Sequence, residues 1–354
     1  MHLKYFLIPI LFIGLSLNTV HLNASTDALL DKLNNLPLNE RQAILEREAK
    51  KEGRVVFYTT LHIGDLGNIK AQFEQKYPYL KLEPFRLGST RLVAKIKSEA
   101  LSGRTDADIF SFPGSYLSSF KDSGVFARNR TPFRATLADE FIDKEGWLNG
   151  LYSTAYVLEY NTKRVKPADL PKSYNDLLHP RWKNELALDQ NTWEWLFGIL
   201  KFMGGETGTK FARDLAKQNV AVRDGHTILS QMLQAGEYSI VMDQYDHIAY
   251  KALQAGGPSN YIFLNPIIAE APSTVSIGQK STRPHAAALF ADFLISKETQ
   301  QFLTTKGRRL AHKEVPYLLN PPANYRWVYL DSDELGKKTN QTIRSYREIF
   351  LASR

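Results

Sequence analysis

Arg54-Val55-Val56-Phe57-Tyr58-Thr59-Thr60-Leu61-His62 is the stretch on which the fold turns. It is a β-branched and aromatic run that ends in hydroxyl residues and an imidazole, and it reads as a strand. Similar runs recur at 80–86, 108–112, 151–160, 186–189, 220–223, 239–243 and 274–277, with helical periods between them. Alternation on this scale predicts an α/β protein with βαβ crossovers.

Several helices are legible around these runs. Leu92, Val93, Ile96 and Ala100 form one apolar stripe, which Ser89 or Thr90 can cap and Gly103 closes. Pro284 sits at a first turn followed by Leu289, Phe290, Phe293 and Leu294. Gly225 precedes a third helix, in which Thr227 is the expected cap and Ile228, Met232 and Leu233 face inward before Gly236. Spaced leucines over 27–52 predict one or two short amphipathic helices, and 344–351 reads as a helix near the end.

The chain has 354 residues, more than one compact core usually holds, so two domains are expected. No Pro/Gly-rich linker divides it, which suggests that several strands cross between the domains. Hydrophobic residues at 43% and charged residues at 23% exclude disordered, collagenous and multi-span membrane classes. The net charge of +8 is not concentrated in any Lys/Arg block, so no nucleic-acid partner is expected. The absence of cysteine removes disulfides, thiolate nucleophiles, zinc–thiolate sites and a lipoprotein anchor. Residues 1–25 read as a secretory signal: Lys4, then an apolar run from Tyr5 to about Leu17, then small residues at Ala24 and Ser25, with cleavage near Ala24. The mature protein is therefore expected in the periplasm.

Ligands of open α/β sheets sit beyond the carboxyl ends of the strands, so the strand ends carry the candidate chemistry. His62 ends the first run. Arg86 precedes Gly88, Ser89 and Thr90 at a helix start whose N–H groups suit an anion. Asp243-Gln244-Tyr245-Asp246-His247 follows a strand and offers the hard oxygen and nitrogen donors that a trivalent cation prefers. Gln190, Asn191, Thr192 and Trp193 form another such group, with amides and a stacking indole. Phosphate-loop spacing, HExxH, GxSxG and GxGxxG are all missing, so no enzymatic activity is expected.

In their order along the chain, these pieces resemble the periplasmic solute-binding proteins of ABC importers. The similarity is to the two-lobed branch that includes ferric-ion-binding and thiamine-binding proteins. The most specific stretches are Tyr174-Asn175-Asp176-Leu177-Leu178-His179-Pro180-Arg181-Trp182-Lys183 and residues 283–296. The resemblance implies the type II two-lobed fold, each lobe a mixed sheet flanked by helices and the two joined by crossing strands. It places lobe 1 at 53–155 plus 273–310, lobe 2 at 156–272 plus 311–354, and a helical segment at 26–52. It further implies a monomer that closes on a small ligand and delivers it to a membrane permease, with no cofactor and ferric iron as the transported ligand. By position, His62 matches an iron-ligating histidine and Tyr245 the first of an adjacent tyrosine pair, with Asp246 replacing the second. The loops Gln190-Asn191-Thr192 and Gly225-His226-Thr227 match those that hold an anion beside iron. A rival cargo is a small organic or oxyanion solute (thiamine-like, phosphonate or polyamine) held by Arg86, Ser89, Asn191, Trp193 and the helix start at Thr227. Rival roles are an exported hydrolase and a receptor subunit for chemotaxis or a sensor kinase.

Overall fold

The computed structural model describes residues 25–352, so the leader segment, Ser25 excepted, lies outside the described residues. Two helices come first, α1 (Thr26–Asn34) and α2 (Leu38–Glu52). The first sheet begins with β1 (Arg54–Thr59), α3 (Ile63–Lys76), β2 (Lys81–Arg86), α4 (Ser89–Leu101), β3 (Ile109–Ser111) and β4 (Phe126–Ala127). The chain then passes through β5 (Tyr152–Ser153) into β6 (Tyr156–Asn161), β7 (Leu186–Asp189), α5 (Trp193–Met203), α6 (Gly205–Ala216) and β8 (Ala221–Arg223). Next come α7 (His226–Ala235), β9 (Ile240–Tyr245), α8 (Asp246–Gln254), β10 (Ser259–Ile262) and β11 (Ile267–Ala269). It returns through β12 (Ser276–Gly278), α9 (Pro284–Ile295), α10 (Lys297–Thr304) and β13 (Arg309–Leu310), and ends with β14 (Trp327–Tyr329) and α11 (Ser332–Phe350).

These strands build two five-stranded sheets, ordered β2-β1-β3-β12-β4 and β10-β6-β9-β7-β8. Both are mixed. In the first, β1 runs parallel to β2 and β3 while β12 is antiparallel to β3 and β4. In the second, β7 runs parallel to β8 and β9 while β6 is antiparallel to β9 and β10. Each sheet has its own hydrophobic core. The chain has the type II two-lobed periplasmic-binding-protein fold.

Three segments cross between the lobes and are zipped together. Gly150 bridges Thr274, Ala155 bridges Ala269, and β13 pairs with β5. This replaces a linker and explains why none is visible in the sequence. The crossing run at 151–160 is interrupted, because Thr154 and Ala155 turn the chain from β5 into β6.

Two helix starts differ from the reading of their hydroxyl residues. Ser89 is already helical, with Gly88 as the cap residue and no side-chain cap bond. Gly225, at φ +101°, caps α7, so Thr227 lies inside the helix. Helix α9 is buried from Ala286 through Ile295 because α2 lies across the face turned away from the sheet. Arg41 of α2 reaches Asp292 of α9 in a buried ion pair at 2.5 Å, and Thr131 donates to the same carboxylate at 2.8 Å. Phe57, Phe73 and Phe290 meet edge-on in the core below, each burial contributing about 1.5–3 kcal/mol.

Candidate functional site

Strand register assembles the site. Tyr156 and Tyr245 are direct antiparallel partners of β6 and β9, so both phenols project from one point of the sheet, with rings 5.7 Å apart. Glu270 follows β11 on the neighbouring crossing segment, where its N–H donates to the Thr154 carbonyl at 2.9 Å. Both phenols donate to the same oxygen, Glu270 Oε1, Tyr245 at 2.8 Å and Tyr156 at 3.0 Å. Glu194, in the first turn of α5, is buried beside this group.

The electrostatics are those of an uncompensated acidic site. Burial pushes the Glu270 carboxyl up and the nearby Glu194 charge pushes it further. Burial also raises Glu194, against which the Ser115 hydroxyl and Glu270 work. The Tyr245 phenol rises well above its ordinary value through burial and the charges of Glu270 and Glu194. The largest contributions to both shifts come from burial, with neighbouring carboxyls and hydroxyls after it. Around the group, Ser115 of lobe 1 acts on Glu194 and Thr192 of lobe 2 on Tyr156, while His226 Nδ1, on the ring that lies against Tyr245, is buried without a protein partner. Buried polar groups are normally satisfied, so this nitrogen beside two phenols and two carboxyls makes the place the candidate ligand position.

The residues expected from sequence are distributed around this centre in different states. Tyr245 is at its heart. Asp246 is buried and its carboxylate is spent inside the protein, contrary to its expected role as a metal ligand. Oδ2 accepts from Ala155 N–H at 3.1 Å and Tyr317 OH at 2.7 Å, and Oδ1 accepts from His247 N–H at 2.7 Å. His62 is exposed and caps α3, its Nδ1 accepting from Gly64 N–H at 3.2 Å. Among the described residues, no group of three His, Cys, Asp or Glu side chains is gathered to hold a metal ion.

The Gln190, Asn191 and Gly225 donors of the expected anion loops are taken up by the chain itself. Asp189, buried at the end of β7, accepts from Asn191 N–H at 2.7 Å and from Gly225 N–H at 2.6 Å. The Asn191 amide is bound to Asp224, the Gln190 N–H donates to Arg223, and Thr227 is exposed. These donors serve a carboxylate of the chain itself, which with Asp224 and Asp243 makes the place hostile to a free anion. Arg86 donates to the Leu61 carbonyl at 3.3 Å, while Ser89 and Thr90 stand at the outer start of α4. Trp193 packs against the lobe 2 core.

Sequence reading missed Tyr156, Glu194 and Glu270. Glu194 carried a weak signal as an acid in the first turn of a helix that follows a strand. Tyr156 and Glu270 carried none, since only long-range strand pairing joins them to Tyr245.

A family model described as bacterial extracellular solute-binding protein matches residues 105–333, which is more than half of the chain. The chain belongs to this family. Membership implies a small ligand and an ABC permease as partner for this solute-binding protein. Solved structures of the same fold include iron-bound HitA from Pseudomonas aeruginosa, at TM-score 0.74 and 20% identity over 84% of this chain and 99% of that one. AfuA from Actinobacillus pleuropneumoniae, with fructose-6-phosphate, aligns at TM-score 0.72 and 21% identity over 85% and 100%. Trichodesmium FutA, in complex with iron and citrate, aligns at 0.70 and 18% over 84% and 99%. At these identities the likeness shows the fold alone. Comparison with curated protein sequences finds no match. No helix among the described residues is long and apolar enough to cross a membrane.

Proposed function

We propose that this solute-binding protein works in the periplasm and captures ferric iron between its lobes for delivery to an inner-membrane permease. The observation that carries the reading is the convergence of two phenols on Glu270, with Glu194 beside them. Phenolate and carboxylate oxygens are hard donors suited to a small trivalent cation. In the cargo-free protein burial raises the phenols and both carboxyls, which favours their protonated forms. A cation of high charge displaces them and turns the four side chains into anionic ligands. His62, whose Nε2 stays clear of the α3 cap, is available from the opposite lobe, and waters complete the shell.

Asp189 bears on the cargo as well. The Asn191 and Gly225 N–H groups are bound to it and are not free for an oxyanion. The iron complexes of HitA and FutA agree with a cation, while the fructose-6-phosphate bound to AfuA shows that the same fold also carries organic anions.

The test is an absorption titration of the purified mature protein with ferric citrate. A visible phenolate-to-iron band is expected, lost in Tyr245→Phe and weakened in Tyr156→Phe. A colourless titration sinks the iron reading; stabilisation by thiamine or a polyamine in the same protein would then assign the acidic site to an organic cation.

A further inference from the structure

Tyr245 does not stand alone in the cleft. The His226 ring lies against one side of it at 3.7 Å between centroids and 34° between planes. The His247 ring is stacked at 5.7 Å and 18°. The two imidazoles come from different helices, His226 from the first position of α7 and His247 from the first turn of α8.

Each imidazole has its own support. Gln244, fully buried, accepts from the Tyr245 N–H at 2.9 Å and donates to the His226 carbonyl at 3.1 Å, so one amide fixes both backbones. The same amide nitrogen donates at 2.7 Å to the buried Glu159, which also accepts from Ser230 and Ser259. For His247, Asp246 Oδ1 lies 3.2 Å from Nδ1, and Tyr317 and Ala155 hold that carboxylate. The pentapeptide 243–247 thus supplies one cargo-facing residue, Tyr245, and three that steady it.

We propose that His226 and His247 are positioning residues that clamp the Tyr245 ring and aim its hydroxyl at Glu270, with Gln244 and Asp246 as their anchors. The inference rests on the proposed role of Tyr245 in the cleft, but concerns the ring's immobility, which exists with or without cargo. Outer groups that orient a first ligand typically change metal affinity by about 10- to 100-fold when removed.

The experiment uses full-length mature protein with tyrosines labelled at the ε carbons, the Tyr245 signals being assigned by their loss in Tyr245→Phe. A clamped ring flips slowly and gives two ε resonances. Two are expected in wild type and in His226→Phe, which keeps a flat ring in place, and one averaged resonance in His226→Ala. A single averaged resonance in wild type, or two in His226→Ala, overturns the clamp. A ferric citrate titration adds the second readout: affinity falls by about tenfold in His226→Ala and returns in His226→Phe. Loss in His226→Phe equal to that in His226→Ala also overturns it. If wild type binds no iron, the ring spectra still decide the clamp, so the two readings fail separately.

Discussion

Acid acts on His226 in a direction set by its burial. Loss of solvation, with some repulsion from His247, lowers its pKa to about 3. The unfolded chain takes up this proton near pH 6.5, well before the folded one. The stabilisation from keeping the ring neutral is therefore complete above pH 6.5 and lost as pH falls toward 3, at about 1.4 kcal/mol per unit. Urea melts of His226→Phe should show a shallower loss of stability between pH 6 and 4.5 than wild type. Equal slopes would mean that the imidazole is not buried in the folded protein. Glu194 and Glu270 have the opposite sign. Their raised values penalise the cargo-free fold as pH climbs above the ordinary glutamate value of about 4.3, and Glu270→Gln should relieve part of that penalty at pH 7 to 8.

Helix α11 carries the longest departure from the sequence reading. It was legible only over 344–351 but runs from Ser332 to Phe350. Its inner stripe is Leu335, Thr342, Tyr346 and Phe350, and a stripe with a threonine and a tyrosine at its centre gives little apolar periodicity to see. The same cause hid the site. The strands were read from their β-branched runs, but the pairing of Tyr156 with Tyr245 and of Ala155 with Ala269 depends on contacts between distant segments. Local chemistry showed that Tyr245 belonged to a cluster; it could not show that Asp246 would turn inward. At Gly336, α11 presses on the 3-10 turn Gly114–Phe120, where an added Cβ would stand 1.9 Å from Ser118 Oγ. Helix propensity alone favours alanine there by about 1 kcal/mol. The clash outweighs it, and Gly336→Ala should lower stability by about 1–3 kcal/mol in thermal unfolding. Adding Ser118→Gly should recover the loss; a stabilised single variant would contradict the packing.

The N-terminal helices are bound to lobe 1 through a buried charge. Removing one partner of the Arg41–Asp292 pair leaves the other desolvated, so Asp292→Ala should cost about 3–5 kcal/mol by chemical denaturation. A loss below about 1 kcal/mol would mean that water reaches Arg41. Between the lobes, the zipped crossing segments hold Tyr156 and Glu270 at the pivot, while Ser115 approaches from lobe 1 and Glu194 from lobe 2. Cargo bound there, as proposed, would contact both bodies. Saturating ferric citrate should raise stability by about 2.7 kcal/mol at a hundredfold excess over Kd and shrink the radius of gyration in solution scattering. Stabilisation without shrinkage would place the cargo on one lobe alone.

The threading of the first sheet also governs when the protein can fold. Strand β12, between β3 and β4, lies some 150 residues beyond β4 in sequence. A nascent chain that has emerged as far as residue 270 still lacks an inner strand of its first lobe, and the second lobe still awaits α11. Neither half can mature while the ribosome is at work, so the newborn polypeptide stays open until almost all of it has been made. Such a delay suits the export proposed for this protein, which requires a chain still open enough to be threaded.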